Sequence, residues 1–197
     1  MWRFALLSLM LAVGCGTSTA TKTDIAPKEP TKNKTPSDQK KKIEHDYKGW
    51  KEYAPTEGGF EVRFPTEPAI KAPSPATGNF HIAGTQRQAP DELEFMCQWI
   101  IKGQPYDSKQ AEVLYLRSQQ LGMLTASKGQ LVDEEEITLD SANGREFTIA
   151  IPGKEVVRSR SYLAGKRMIT IQVWGKDTQA VGSTDATKFL DSLKINN

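Results

Sequence analysis

The chain holds only two cysteines and two histidines in 197 residues. Two cysteines cannot build a disulfide framework, and two histidines leave the usual Cys/His zinc spacings unmet. No apolar run approaches the ~20 residues of a membrane-spanning helix, which excludes a multi-pass membrane protein. No glycine-rich phosphate loop follows a strand. No Gly-x-Ser-x-Gly surrounds Ser108, Ser118, Ser159 or Ser161, and no Ser–His–acid arrangement offers itself. Charge of one sign is scarce as well: 26 Lys plus Arg against 24 Asp plus Glu leaves +2, which excludes an acidic disordered chain. The length suits one domain of ordinary size with a tail. The composition therefore points away from an enzyme, and from any cofactor or metal.

What is present begins at the N-terminus. Arg3 is a minimal positive region, and Phe4 to Val13 is apolar except for Ser8. Ten residues fit the core of a secretory signal and are too few to span a bilayer. The run closes on Ala12-Val13-Gly14-Cys15. This resembles the bacterial lipoprotein signal, in which small residues precede a cysteine that receives diacylglycerol and becomes the mature N-terminus. Leu11 stands one place earlier than the family's usual leucine. The resemblance implies a signal peptide over residues 1–14 and lipidation at Cys15. It also implies export, with the domain in the periplasm or at the cell surface and the bilayer of a cell or outer membrane as one partner. A thiolate is the side chain nucleophilic enough near neutral pH for such acylation, and more than one acyl chain makes anchoring stable.

Residues 15–48 read as a linker. Residues 16–48 hold six Thr, eight Lys and three Pro, with Tyr47 as the one aromatic side chain. Such a segment buries too little apolar surface to offset chain entropy. As a flexible coil it spans ~30 Å on average and ~110 Å fully stretched. Lys40-Lys41-Lys42 adds at most ~1 kcal/mol per lysine at an anionic surface.

Residues 49–197 read as a single α+β domain. The domain carries 17 basic against 19 acidic side chains, with no basic block interleaved with aromatics, so nucleic acid is not an expected partner. Phe60, Val62 and Phe64 alternate with Glu61 and Arg63 as a half-buried strand that Pro65 and Pro68 end. Strands follow over 79–88 and 93–102, with a turn at Ala89-Pro90-Asp91 between them. A helix is expected from a cap at Asp107 or Ser108, with Gly129 closing it. Its buried stripe is read as Ala111, Leu114, Tyr115, Ser118, Leu121, Gly122 and Thr125. Then come strands over 130–139, 145–151, 155–163 and 166–174. Asn143-Gly144 is read as the first hairpin turn and Pro152-Gly153 as the second. A helix over 183–194 buries Ala186, Phe189, Leu190 and Leu193.

No strand–helix–strand alternation recurs, so a largely antiparallel sheet of about six to seven strands with helices packed on it is expected. The order of elements resembles the α/β/α sandwich of PsbP-like and Mog-like proteins. Phe60-Glu61-Val62-Arg63-Phe64-Pro65, the helix near 108–127, Gly144-Arg145-Glu146-Phe147 and Phe189-Leu190-Asp191-Ser192-Leu193 carry the likeness over roughly residues 50–195. It implies a non-enzymatic accessory role, because those families mostly act by binding protein partners.

Candidate chemistry is sparse. Cys97 lies on the apolar face of its strand with Phe95 and Trp99 and reads as a small buried hydrophobe. His81 alternates with Phe80 and Ile82 and is expected to point away from the core, and His45 falls in the linker. Asp133-Glu134-Glu135-Glu136 reads as a solvated strand edge that discourages edge pairing. The last hairpin is read with a three-residue loop, Leu163-Ala164-Gly165, that pairs Tyr162 with Lys166. That register gathers Arg158, Arg160, Tyr162 and Trp174 on one face, a candidate surface for an anion or an envelope protein partner. The plainer alternative pairs those arginines with carboxylates elsewhere on the sheet. A two-residue loop would set both among isoleucines at a large desolvation cost. The leading functional expectation is a membrane-anchored envelope lipoprotein with a protein-binding domain. A binder of small ligands or cell-wall components comes second and a hydrolase third.

Overall fold

The computed structural model describes residues 44–87 and 92–196. The signal-like segment, Cys15, the linker up to residue 43 and the Ala89-Pro90-Asp91 turn lie outside the described residues.

The elements in chain order are β1 (Lys51–Tyr53), β2 (Phe60–Phe64), β3 (Ala69–Lys71), β4 (His81–Gly84), β5 (Glu94–Ile101) and α1 (Lys109–Ser127). They continue with β6 (Gln130–Leu139), β7 (Ala142–Ile151), β8 (Glu155–Ala164), β9 (Arg167–Gly175), α2 (Thr178–Val181), α3 (Thr184–Asp191) and β10 (Lys194–Ile195). Seven strands form one sheet in the order β3-β4-β5-β9-β8-β7-β6, and every neighbouring pair is antiparallel. A second, three-stranded sheet runs β1-β2-β10.

The expected α+β class with a largely antiparallel sheet holds, and the layers are richer in β than an even α/β/α sandwich. One face of the large sheet carries α1, while the opposite face carries α3, α2 and the small sheet together. The count of seven strands also needs redistribution. β2 leaves the main sheet, because Pro65 and Pro68 break the chain after Phe64, and it pairs instead with β1 and β10. β3, unforeseen in the sequence, takes an edge of the main sheet.

The larger core lies between the sheet and the α3 layer. Phe60, Val62, Phe64, Trp99, Ile169, Ile171, Val173, Phe189 and Leu190 are all essentially enclosed there. Each such side chain contributes ~1.5–3 kcal/mol by leaving water. Ser183 caps α3 by accepting from Ala186 N–H at 3.4 Å. After Asp191 the chain straightens to place Ile195 opposite Phe60.

α1 is capped by Ser108, whose Oγ accepts from Ala111 N–H at 3.2 Å. Its buried side differs from the expected stripe. Leu116 and Gln120 are enclosed, whereas Leu114 and Leu121 are 59% and 54% exposed. The sheet beneath α1 supplies the reason. Its cross-strand row Gln98–Thr170–Ser161–Arg145 is polar, so the helix turns Gln120 inward, and leucine spacing alone misplaces the face. The α1 interface is thereby divided into two apolar clusters, one around Leu116, Leu163 and Met168 and one around Phe147, Ile149 and Trp174.

The β6–β7 turn also moves. It falls at Asp140-Ser141, with Leu139 opposite Ala142 and Asp140 at φ 53°. Asn143-Gly144 lies inside β7 instead. A Cβ at Gly144 would sit 2.5 Å from Tyr162 Cδ1, so this glycine makes room for a ring on the neighbouring strand.

Candidate functional site

The two hairpins of β7, β8 and β9 decide where the singled-out arginines go. The β7–β8 turn has three residues, Pro152-Gly153-Lys154, and sets Glu146 opposite Arg160. The β8–β9 turn has two residues, Gly165-Lys166, with Ala164 opposite Arg167. Gly165 is left-handed at φ 59°, but as the first central residue of a two-residue turn. The expected three-residue register is therefore corrected. Arg158, Arg160 and Tyr162 share a face with Val173, Ile171 and Ile169, while Trp174 lies on the other face opposite Val157. The four residues do not form a common surface.

The desolvation cost that argued against this register is offset by carboxylates that the sequence reading left unassigned. Glu146 accepts from Arg158 Nε and from Arg160 Nε, each at 2.6 Å. Arg160 Nη1 donates to Asp191 Oδ1 at 2.7 Å, and the other oxygen of Asp191 lies 3.0 Å from His45 Nε2 in a hydrogen bond. Arg158 Nη1 reaches Thr187 Oγ1 at 3.3 Å. The side chains of Arg158, Glu146 and Arg160 are only 19%, 10% and 12% exposed. This is an ion network enclosed between β7–β8 and α3. A buried pair of this kind holds only because both partners and their remaining lone pairs are satisfied.

Protonation follows the geometry. Burial pushes the Glu146 carboxyl up, but the two guanidiniums outweigh it and hold the group below the ordinary glutamate range. Asp191 is likewise raised by burial and brought lower overall by hydrogen bonds from His45 and Arg160. Burial pushes the Tyr162 hydroxyl up to about 12. Arg160 is disfavoured by burial, yet Glu146 and Asp191 hold it firmly charged. These groups brace β7 and β8 against α3.

His45 and Tyr47 belong to this packed region although the sequence places them in the linker. Tyr47 Oη donates to Lys188 C=O at 3.1 Å, and Lys188 Nζ lies 4.5 Å from the Trp50 ring centroid. The signal for Glu146 was available: a three-residue turn centred on Gly153 pairs Glu146 with Arg160 by arithmetic. Asp191, Thr187 and His45 come from distant parts of the chain, and nothing local announces them.

The other singled-out residues are placed as follows. Cys97 is fully enclosed, and burial holds its thiol protonated. His81 lies on the opposite face of β4 from Phe80 and Ile82, half-buried and stacked on Trp99 with centroids 3.8 Å apart. Arg145 sits under α1, donating to Gln120 Oε1 at 2.6 Å and pairing with Glu134, with Glu136 at 3.8 Å. The Oε1 of Gln172, enclosed on the same face, has no hydrogen-bond partner in the structure. Among the described residues, no three His, Cys, Asp or Glu side chains are grouped to hold a metal ion.

The two edges of the main sheet are unequal. β3 has three residues between Pro68 and Pro73. β6 has ten, and Gln130 to Glu136 are all exposed. A bulge between Leu131 and Asp133 interrupts β6, where Asp133 Oδ1 accepts from Glu134 N–H at 3.0 Å. The acidic run splits by strand alternation. Glu134 and Glu136 reach Arg145 on the α1 face, and Glu135 stands opposite Glu146 on the α3 face. Beside the bulge, β6, β7, β8 and α2 enclose an open hollow of about 330 Å³, lined among others by Val132, Asp133, Glu135, Glu146, Arg158 and Val181.

This arrangement of strands has a known counterpart. The solution structure of cyanobacterial PsbP (CyanoP) from Synechocystis sp. PCC 6803 superposes with a TM-score of 0.56 at 12% identity, covering 74% of this chain and 92% of that one. The fold is PsbP-like. A crystal structure of PA94 from Pseudomonas aeruginosa, a protein of unknown function, superposes with a TM-score of 0.40 at 12% identity over 68% of this chain and 86% of that one. No protein-family model and no curated protein matches the sequence. The likeness extends to the PsbP-like architecture alone.

Proposed function

We propose that this protein is a lipid-anchored envelope protein whose PsbP-like domain acts as a non-enzymatic accessory module by binding another protein chain. The lipoprotein-like Ala12-Val13-Gly14-Cys15 supports the anchor. The observation that carries the binding reading is the ten-residue strand β6, which stands at an edge of the main sheet among the described residues. A strand edge of that length presents a row of backbone donors and acceptors that a second chain can pair with. β3 is short, whereas β6 is long, and its acidic run and bulge restrict which chains can pair with it. The accessory role implied by the PsbP-like resemblance agrees with this use of the domain.

Two measurements in cells test the reading. A photo-crosslinking residue at Glu136 should yield a discrete protein adduct, whereas the same residue at Ile70 on the β3 edge should not. Equal or absent adducts at the two edges would overturn the binding role. Cys15→Ala should leave the precursor unprocessed or free the protein from membranes. Normal processing with normal membrane retention would overturn the anchor.

A further inference from the structure

We propose that the outer face of α1 lies on the lipid bilayer, with Leu114 and Leu121 seated among anionic headgroups. The proposal rests on the lipid-anchored reading above and names the surface against which the domain stands.

The way α1 is turned calls for an occupant. Gln120 points inward to Arg145, while the leucines at 114 and 121, two turns apart, stand exposed on the outer face. Arg117, Ser118 and Thr125 are exposed beside them, and Lys128 caps the helix. Just past that cap, Leu131 lies opposite Ile149 on the same side of the sheet and is a third exposed leucine. Leucine on the outward face with Lys and Arg beside it is the pattern of a helix that lies in the headgroup plane.

Charge favours an anionic surface. The exposed positions of α1 carry Lys109 and Arg117 and no carboxylate. Glu112, the one acid of the helix, is half-buried and accepts from Asn143 Nδ2. Asp107 precedes the cap. Among the described residues, Lys109, Arg117 and Lys128 stand in no ion pair. Glu134, which feels the charge of Arg117, is engaged by Gln120 and Arg145 on β6, one packing layer down. Attraction to anionic lipid fades within a Debye length of ~8 Å. A layer is ~10 Å deep, so the cations of the crest outweigh the carboxylates of the sheet.

Area and reach favour a bilayer over a protein. A stable protein interface covers ~800 Å² on each partner, far more than two or three leucines supply. A bilayer needs no matching shape, and an anchored chain meets it at high effective concentration. The aliphatic stem of Arg117 can pack along the leucines while its guanidinium meets phosphate. The described chain begins on the opposite side, where His45 bonds Asp191 of α3. Residues 15–43 number 29. They reach ~100 Å when extended, enough to round a domain three layers, ~30 Å, thick.

The test places a photo-crosslinking residue at Ser118 of the full-length protein in cells and, in a second variant, at Thr184 on α3. Ser118 should yield adducts of phospholipid mass and Thr184 should not. Reconstituted into vesicles of equal parts phosphatidylglycerol and phosphatidylcholine, the Ser118 variant should keep its adducts; in phosphatidylcholine alone it should lose most of them. L114Q with L121Q should cut the yield several-fold at an unchanged melting temperature. R117Q with K128Q should remove the preference for phosphatidylglycerol. Protein adducts at Ser118, lipid adducts equal at both positions, or equal yields in the two vesicles would overturn the proposal. Absence of lipid adducts at Ser118 while Cys15→Ala still frees the protein would overturn the bilayer face and leave the anchor standing. Lipid adducts at Ser118 with Cys15→Ala retained on membranes would do the reverse.

Discussion

The main sheet buries arginine on both faces, and the two sites are built differently. Under α3, Arg158 and Arg160 share Glu146, a carboxylate only 10% exposed, and Asp191 closes the network. Under α1, Arg145 is more enclosed than either, yet its carboxylates Glu134 and Glu136 stand 41% and 66% exposed on the edge strand. Water screens the second set and hardly reaches the first. The difference separates a structural network, which fails as a unit, from a solvated rim whose charges act separately.

Removing the cations from the enclosed network should produce the largest effect. Arg158→Ala with Arg160→Ala leaves Glu146 buried without its counter-charges and Asp191, half-buried, with His45 alone, and a broken buried pair costs on the order of 3–5 kcal/mol. Urea unfolding should show a large fall in midpoint. Gly144→Ala comes next, at roughly 1–3 kcal/mol for overpacking, because its Cβ would meet the Tyr162 ring. Adding Tyr162→Phe should bring no relief in a thermal melt, since the crowded atoms are ring carbons and not the hydroxyl.

Acid should weaken both carboxylate sets, since Glu134 on the α1 face is also held below its ordinary value by its hydrogen bond from Gln120 and by Arg145. Glu146 and Asp191 have folded-state values held below their ordinary 4.5 and 3.8. Their contribution is therefore fully present above those ordinary values and is lost as pH falls through the lower folded ones. Urea midpoints should decline below about pH 4.5, and Glu146→Gln should flatten that decline. The smallest effect belongs to the exposed rim. Glu136→Gln, 3.8 Å from Arg145, should change stability by less than about 1 kcal/mol.

The same contrast explains what the sequence made legible. β5, β6, β8, β9, α1 and α3 follow from alternation, helical spacing and caps, and their bounds fall within a few residues of expectation. Those signals are local. Which face of α1 turns inward was illegible, because Gln120 is buried by Arg145, a residue of another strand. The β8–β9 register was misread for a related reason. With Arg158 and Arg160 considered alone, burial among Ile169, Ile171 and Val173 looks prohibitive. Glu146 is recoverable from the neighbouring turn, but Asp191 and His45 reach the network only through the fold. β1, β3, α2 and β10 are too short to leave a periodic trace. The edge position of β6 was legible from its acidic run, whereas the hollow depends on α2 and was not.

The most direct test of the enclosed network is a double-mutant cycle between Glu146→Gln and Arg160→Gln, read as urea unfolding free energies. A network that fails as a unit gives a coupling of about 2–3 kcal/mol, the upper part of the range for residues in contact. Additivity of the two substitutions within about 0.5 kcal/mol would contradict it and return Arg160 to the surface as a residue free to meet a partner.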